Sequence, residues 1–293
     1  MKNLTDIQFV FFGTDDFAVT VLKTLKEVGC TPTLIVTTED TPQGRNRLLT
    51  APKVKKWAMY EKITCIQPTT LTAKDVVQTL TDTASDVFVV ASYGKIISNK
   101  ILSIPAHKCL NIHPSLLPEF RGASPLQTAI LKAETTGVTI MEMDQKMDHG
   151  PIVAQEEAKV PEWPLEISRL RTILASQGAF LLAHILPSWI AGTAPSIPQN
   201  HSNATFTKKI TKDDGLLNLT DPAGLNIRKI YAFQEWPKPY FFVEKNSKEI
   251  RIVVKEAHIE NGTLYIDRVI PEGKKEMSYA DFLRGFKNDS TKK

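Results

Sequence analysis

The sequence predicts an α/β protein in which a doubly wound, mostly parallel sheet domain is followed by a small β-barrel domain. Three observations support this prediction. Over the first 160 residues, short apolar runs alternate with amphipathic helical patterns, which is typical of a parallel sheet covered by helices. A stretch rich in Pro, Ser, Thr, Asn and Gly then follows, as expected of a linker. The last part of the chain holds short strand patterns separated by turns, which is typical of a small barrel.

The first domain is predicted from its strands and helices. Six apolar runs have the length of buried strands: Ile7–Phe12, Thr33–Thr37, Ile63–Ile66, Val87–Ala91, Cys109–Ile112 and Val138–Met143. The segments between them carry helical patterns: Phe17–Val28, Lys53–Glu61, Asp75–Asp82 and Ser124–Ala133. A longer helix is expected over Leu165–Ile190, and Pro187 should end or kink it.

The second domain has a different pattern. A helix is expected over Ile227–Ala232, and strands over Tyr240–Glu244, Glu249–Ala257 and Thr263–Val269. Lys245-Asn-Ser247 and Glu260-Asn-Gly262 supply the turns between the strands. We therefore expect a first domain over residues 1–190, a linker over 191–205 and a second domain over 206–293.

The composition is that of an ordinary soluble protein, with 42% hydrophobic and 23% charged residues. We find neither an apolar run long enough to span a membrane nor a signal peptide, so we expect a cytoplasmic protein. The three widely spaced cysteines and the histidines fit no disulfide framework or metal-ligand spacing, so we expect no metal. The net charge of +4 lies entirely within residues 204–293. This favours an anionic partner such as nucleic acid, although a solvated lysine-rich surface gives the same pattern.

The turn after the first strand, Gly13-Thr-Asp-Asp-Phe17, stands where a dinucleotide-binding fingerprint would occur. The second and third glycines of that fingerprint are missing, so the backbone could not approach a pyrophosphate closely. A nicotinamide or flavin cofactor is therefore disfavoured. The expected alternative is a strand-to-helix turn capped by Asp15 or Asp16.

Asn111 and His113 are the strongest candidates for catalysis. They lie two residues apart in an apolar run that ends at Pro114, so both side chains should point to the same face at the end of a strand. An amide and a protonated imidazole can stabilise the oxyanion of an acyl-type transfer, and the imidazole can also move a proton. Asp148, in the loop after a later apolar run, could orient the imidazole. No Ser or Cys lies beside the pair in a nucleophile-elbow pattern, which favours direct transfer without a covalent enzyme intermediate.

A polar loop with two arginines, Thr41-Pro-Gln-Gly-Arg45-Asn-Arg47, precedes the second predicted helix. Arginines at this position could contact phosphate or a carbonyl group of a substrate. An ordinary exposed loop would look the same.

Together these motifs make the chain similar to the methionyl-tRNA formyltransferase family of the folate-dependent formyltransferase superfamily. The segments that carry the resemblance are Gly13–Phe17, Gly44–Leu48, Ala91–Gly94, Asn111–Pro118, Arg121–Pro125, Gly137–Met141, Met147–Gly150, Lys212–Gly215, Ile227-Arg228 and Ala232–Pro237. The resemblance implies a Rossmann-like catalytic domain and a C-terminal OB-fold-like domain that contacts tRNA. Asp15 departs from it, since proline is usual there.

The resemblance also implies roles for individual residues. Asn111, His113 and Asp148 would be catalytic, and the loop Ser115, Leu116, Leu117 and Pro118 would bind the folate of 10-formyltetrahydrofolate. Phe17 would lie near the methionine side chain, and the loop carrying Arg45 and Arg47 would approach the acceptor end of initiator methionyl-tRNA. The implied products are N-formylmethionyl-tRNA, used in translation initiation, and tetrahydrofolate. A monomer is the ordinary expectation.

Two alternatives stay open at this point. The first is a folate-dependent formyltransferase that acts on another amine, such as an amino sugar nucleotide or glycinamide ribonucleotide. The second is a catalytically inactive nucleic-acid-binding protein on the same scaffold. The complete Asn111, His113 and Asp148 set argues against the second alternative, and the arginine loop with the basic C-terminal domain argues against the first.

Overall fold

A computed structural model describes residues 2–44, 47–160, 162–245 and 247–290 of the chain. The chain forms two compact units. The first comprises Met1–Gly122, Thr135–Lys159 and Arg171–Phe206, and the second comprises Ala123–Glu134, Val160–Leu170 and Thr207–Lys293. The chain therefore passes between the units more than once. The functional division into residues 1–190, 191–205 and 206–293 stays a prediction.

The described residues form fifteen strands and eight α-helices. The strands are β1 (Phe9–Gly13), β2 (Leu34–Val36), β3 (Thr41–Gln43), β4 (Leu48–Thr50), β5 (Cys65–Ile66), β6 (Val87–Ala91), β7 (Cys109–His113), β8 (Arg121–Gly122), β9 (Gly137–Glu142), β10 (Ile152–Glu157), β11 (Phe206–Thr207), β12 (Tyr240–Lys245), β13 (Lys248–Glu260), β14 (Thr263–Pro271) and β15 (Met277–Ser278). The helices are α1 (Asp16–Glu27), α2 (Lys53–Glu61), α3 (Lys74–Asp82), α4 (Asn99–Leu102), α5 (Pro125–Lys132), α6 (Ile167–Ile190), α7 (Ala223–Phe233) and α8 (Tyr279–Ser290).

The first unit is built around a seven-stranded sheet with the order β10-β9-β7-β6-β1-β2-β5. The pairs from β7 to β5 are parallel, whereas β9 is antiparallel to both β7 and β10. The mostly parallel sheet predicted from the alternating pattern is confirmed, and the six predicted strands are present with ends that shift by at most two residues. Strand β10 is not predicted from the sequence, because Gln155, Glu156 and Glu157 interrupt its apolar pattern.

The sheet of the first unit is buried on both faces. All five residues of β1 and all five of β6 are buried, as expected for central strands with helices on each side. One core cluster combines alternate residues of these strands with residues of α3, α4 and the neighbouring strand β2: Val10, Phe12, Val36, Leu80, Phe88, Val90 and Ile101. Each such side chain contributes roughly 1.5–3 kcal/mol on burial.

The turn between β1 and α1 depends on Gly13 and Asp15. A Cβ atom at Gly13 would lie 2.9 Å from the carbonyl oxygen of Ala91, so only glycine permits this close approach. One carboxylate oxygen of Asp15 accepts hydrogen bonds of 3.0 and 3.2 Å from backbone N–H groups of α1, and the other accepts from the Ser92 hydroxyl at 2.6 Å. The expected cap is therefore Asp15, and the departure from proline at this position supplies the helix with a capping side chain.

The second unit contains a four-stranded antiparallel sheet with the order β12-β13-β14-β15. Its core is formed by Leu217, Ile230, Phe241, Ile252, Val254, Val269 and Phe282. Arg228 of α7 donates hydrogen bonds of 2.9 and 2.8 Å to the carbonyl groups of Ile130 and Ala133, at the end of α5. The antiparallel C-terminal sheet is confirmed, and its closure into an OB-fold-like barrel stays a prediction.

One helix of the described residues, α6, is long and apolar enough to cross a membrane by length and composition, with a mean hydropathy of 1.4. This differs from the sequence expectation that no such stretch exists. Ser176, Gln177, Gly178 and His184 interrupt the apolar run, and averaging over a window hides them. Leu174, Leu182 and Leu186 are fully buried, so one face of the helix packs into the protein interior.

Candidate active site

The site is organised by β7, which carries Asn111 and His113. Pairing in parallel with β6 and antiparallel with β9 places Asn111 beside Val90 and Met141. Because strand residues alternate, Asn111 and His113 share one face and Ile112 points to the other. There α6 approaches so closely that a Cβ atom at Gly178 would lie 2.5 Å from a methyl group of Ile112. The helix therefore fixes the strand from the face opposite the site.

His113 is held by contacts at both ring nitrogens. Its Nε2 lies 3.2 Å from the carbonyl oxygen of Phe120, and its Nδ1 lies 3.6 Å from Oδ1 of Asp148. A carbonyl oxygen only accepts hydrogen bonds, so Nε2 carries a proton. The second distance is too long for a hydrogen bond, which leaves Nδ1 open to a ligand beside the carboxylate. The predicted proximity of His113 and Asp148 is therefore present in the structure.

The buried position of His113 decides its charge. The side chain is 4% exposed, and loss of hydration lowers the pKa of the ring below its ordinary value of 6.5. The Asp148 carboxylate and the Phe120 carbonyl group act in the opposite direction and raise the pKa, while Arg121 lowers it. The net direction of the pKa is downward, so the free site favours a neutral imidazole at pH 7, which differs from the protonated ring expected as an oxyanion donor.

Asp148 reaches His113 from the loop that follows β9. That strand ends opposite Leu110, and the loop then brings the carboxylate toward the imidazole. Asp148 has a left-handed backbone with φ of 48°, which is uncommon for a residue other than glycine. Its Oδ2 accepts a hydrogen bond of 2.7 Å from the backbone N–H of Gly122. One carboxylate oxygen is thus anchored, and the other faces the histidine.

The loop Ser115-Leu116-Leu117-Pro118 is fixed by its own polar groups. The Ser115 hydroxyl is buried and donates to the carbonyl of Glu119 at 2.6 Å, so it is turned away from solvent. The Thr139 hydroxyl donates to the Ser115 carbonyl at 2.7 Å and accepts from the Leu117 N–H at 3.1 Å. Leu117 is buried, whereas Leu116 and Pro118 are partly exposed. The surface that this loop offers a ligand therefore comes from Leu116 and Pro118.

The other expected site residues lie in different surroundings. Phe17 is 2% exposed in the first turn of α1. The arginine loop, expected to be irregular, forms an antiparallel hairpin of β3 and β4. Arg47 is exposed and directly precedes β4, next to Leu48 and Leu49, which are 68% and 71% exposed. Arg45 and Asn46 lie outside the described residues.

The sequence alone indicates no role for Gln199, and it marks Arg121 only as part of a family-like motif. Both are buried, and the Gln199 side-chain oxygen accepts hydrogen bonds of 3.2 and 2.5 Å from the Arg121 guanidinium. A buried guanidinium needs such acceptors. The Arg-Gly pair after the predicted folate loop gave a signal for Arg121. Gln199 lies in the segment whose composition resembles a linker, and nothing in the neighbouring sequence marks it as a functional residue.

The formyl transferase family model matches residues 7–182, well over half of the chain. The chain belongs to the formyl transferase family. Among its relatives, the methionyl-tRNA formyltransferase of Chloroflexus aggregans is 43% identical over 237 residues, covering 80% of this chain and 76% of that protein. That of Myxococcus xanthus is 36% identical over 302 residues, covering 96% of this chain and 95% of that protein.

Solved structures of two formyltransferases and of the protein HypX share the fold. Methionyl-tRNA formyltransferase from Clostridium thermocellum has a TM-score of 0.60 at 14% identity, covering 90% of this chain and 98% of that one. A sugar N-formyltransferase from Shewanella has a TM-score of 0.61 at 17% identity, covering 83% of this chain and 95% of that one. HypX from Aquifex aeolicus, solved in complex with tetrahydrofolic acid, has a TM-score of 0.64 at 16% identity. The match covers 96% of this chain and 47% of HypX. At these identities the likeness concerns the fold alone.

The site of this family member contains no grouped metal ligands among the residues that the structure describes: no three His, Cys, Asp or Glu side chains lie together there. The polar side chains that converge are instead an amide, an imidazole and a carboxylate. This set can donate a hydrogen bond, accept a proton and stabilise a positive ring, which are the operations that transfer of a formyl group requires.

Proposed function

We propose that this protein transfers the formyl group of 10-formyltetrahydrofolate to the α-amine of initiator methionyl-tRNA. The product is N-formylmethionyl-tRNA for translation initiation. The observation that carries the proposal is the convergence of His113 and Asp148 across 3.6 Å beside Asn111 on β7. Support for the acceptor comes from methionyl-tRNA formyltransferases that are 36–43% identical over most of the chain.

Asn111 serves as the oxyanion donor. Its side chain is partly buried, and its NH₂ group can donate a hydrogen bond to the formyl oxygen. Attack of an amine on the formyl carbon places negative charge on that oxygen. One well-placed donor contributes about 3–4 kcal/mol to the stabilisation of such a transition state.

His113 serves as the proton carrier through Nδ1. The Phe120 carbonyl holds the proton of Nε2, so the neutral ring presents the lone pair of Nδ1 toward the reacting groups. The attacking amine forms the new C–N bond and gives its proton to Nδ1. Asp148 stabilises the imidazolium that results. The ring then returns the proton to N10 of the folate as the bond between the formyl carbon and N10 breaks.

The formyl donor is assigned to the loop Ser115–Pro118. We place the folate against the exposed parts of Leu116 and Pro118, while Ser115 and Leu117 keep the loop in shape. The rigid hydrogen bonds of Thr139 support this division of roles. The fold of HypX, which is similar, has been solved with tetrahydrofolic acid.

The acceptor tRNA is assigned to two regions. In the first, the loop that carries Arg45 and Arg47 approaches the acceptor stem, and Phe17 lies near the methionine side chain. In the second, the basic residues after 204 contact the tRNA backbone from an OB-fold-like domain. We expect a monomeric cytoplasmic protein without membrane association or bound metal, whose linker spans residues 191–205.

The test is formylation of charged initiator methionyl-tRNA by the purified protein with 10-formyltetrahydrofolate. Uncharged tRNA, charged elongator methionyl-tRNA and free methionine are the controls. Selective formylation of the charged initiator is the expected result. If the protein hydrolyses formyl-folate and leaves all tRNAs unmodified, the acceptor assignment is wrong. Transfer to an amino sugar nucleotide would then identify the acceptor.

A further inference from the structure

The segment from Ile197 to Phe206 lies along the active site although its composition resembles a linker. Ile197 and Ile152 exchange two backbone hydrogen bonds, of 2.8 and 2.9 Å. Further along, the Thr205 hydroxyl accepts from the Phe120 N–H at 2.8 Å, and the Thr205 carbonyl accepts from the Arg121 N–H at 2.9 Å. The segment is therefore attached at one end to Ile152, where the loop of Asp148 enters β10, and at the other end to Phe120 and Arg121, which follow the loop after His113.

Gln199 is the one buried side chain between residues 191 and 206, all of which the structure describes. Its NH₂ group donates to the carbonyl oxygens of Asp148 at 3.0 Å and Gly150 at 2.7 Å. Its oxygen accepts from both Nε and an Nη of Arg121. Every hydrogen-bonding direction of the amide is thus occupied. A buried amide that links a charged donor to two backbone acceptors needs both halves of a carboxamide.

Asp148 depends on support of this kind because its backbone is left-handed, with φ of 48°. Gly122 fixes its carboxylate, and Gln199 fixes its carbonyl group. The residue is thus held at both its backbone and its side chain, and in this arrangement Oδ1 lies 3.6 Å from Nδ1 of the ring.

We infer that Gln199 is a positioning residue for catalysis, which holds Asp148 in its working orientation by coupling the Asp148–Gly150 backbone to the buried Arg121. The inference deepens the proposed function and rests on it for the kinetic readout. The hydrogen bonds of Gln199 go to Arg121 and to the backbone of Asp148 and Gly150. Its effect on the formyl transfer therefore passes through the geometry of Asp148.

The test uses Gln199→Glu and Gln199→Met, with Asn200→Ala as the matched control. The Glu variant keeps an acceptor for Arg121 and loses the two donors, whereas the Met variant removes the whole amide at similar size. Asn200 is exposed on the same segment, and its side-chain oxygen accepts from the backbone and hydroxyl of Ser202.

The kinetic readout separates kcat from KM. We expect Gln199→Glu to lower kcat about tenfold to a hundredfold, as misplacement of a catalytic group by about 1 Å does. The KM values for both substrates should stay within about twofold, and Asn200→Ala should behave as the unaltered protein. If Gln199 acts only by satisfying Arg121, Gln199→Glu will keep its kcat, and the inference is overturned.

The second readout is the NMR titration of the His113 ring in the free protein, assigned by its loss in His113→Gln. In Gln199→Met the carboxylate should withdraw, so the pKa of His113 should fall below that of the unaltered protein. An unchanged titration would overturn the inference. Because this measurement needs no substrate, it decides the role of Gln199 even if the formyl-transfer assay shows that the proposed function is wrong.

Discussion

Replacement of Asp148 by Asn tests the proposed proton transfer most directly. An Asn side chain has nearly the same shape and can still accept the 2.7 Å hydrogen bond from Gly122, so the loop should keep its structure. The negative charge 3.6 Å from Nδ1 of His113 is lost. Without it, the imidazolium formed during transfer is no longer stabilised. We expect kcat to fall by about 10²-fold or more.

The charge also sets the pH dependence. Two unit charges 3.6 Å apart attract by about 1.2 kcal/mol in a water-like medium and about 4.6 kcal/mol at an effective dielectric constant of 20. Asp148 stabilises the protonated ring and so raises the pKa of His113, while burial holds that pKa below 6.5. Transfer requires the neutral ring, so kcat/KM, which reports the free enzyme, should fall as the pH drops through this pKa. In Asp148→Asn the acidic limb of kcat/KM should move to lower pH.

The assay measures kcat, and the pH dependence of kcat/KM for methionyl-tRNA, in the unaltered protein and in Asp148→Asn. The amine of the acceptor titrates identically in both, so the difference between the profiles belongs to the enzyme. Thermal denaturation serves as the control for folding. A kcat close to that of the unaltered protein, or an acidic limb that stays in place, would refute the role assigned to Asp148.

Three further substitutions test other parts of the molecule, and a fourth serves as a control. Asn111→Ala should lower kcat about 10²- to 10³-fold in steady-state formylation by removing an oxyanion donor, and an unchanged kcat would exclude that role. Arg47→Ala should lower kcat/KM for methionyl-tRNA and spare the slow hydrolysis of 10-formyltetrahydrofolate, whereas equal losses would show that the hairpin is no acceptor element. Gly178→Ala should reduce the free energy of unfolding in urea by about 1–3 kcal/mol, since its Cβ would lie 2.5 Å from Ile112. Gly224→Ala, whose Cβ meets nothing within 4 Å, should be neutral or slightly stabilising, and equal effects would contradict the packing argument.

The sequence was sufficient for elements whose signal is local. Strand β6 and helix α2 were predicted with both ends correct, because a five-residue buried run and a helical stripe depend on neighbouring residues alone. Asn111 and His113 were recognisable for the same reason, since two polar residues two positions apart in a buried run must share a face. The hairpin of β3 and β4 was missed because the period of two is absent from Thr41-Pro-Gln43.

The support of the site could not be read from the sequence because it depends on contacts between distant segments. Phe120 and Asp148 both have left-handed backbones, with φ of 58° and 48°, and such residues cost of order 1–3 kcal/mol unless their surroundings hold them. Thr205 accepts from the Phe120 N–H, and Gln199 donates to the Asp148 carbonyl, so both supports come from the linker-like segment. The composition of this segment shows that it lacks an apolar face. Composition does not show which polar atoms are buried. A glutamine that forms four hydrogen bonds inside the protein and a glutamine in water can have the same neighbours in sequence. Catalytic residues placed by strand periodicity can therefore be predicted early, whereas residues that act through complementary hydrogen bonds become visible only once the fold is known.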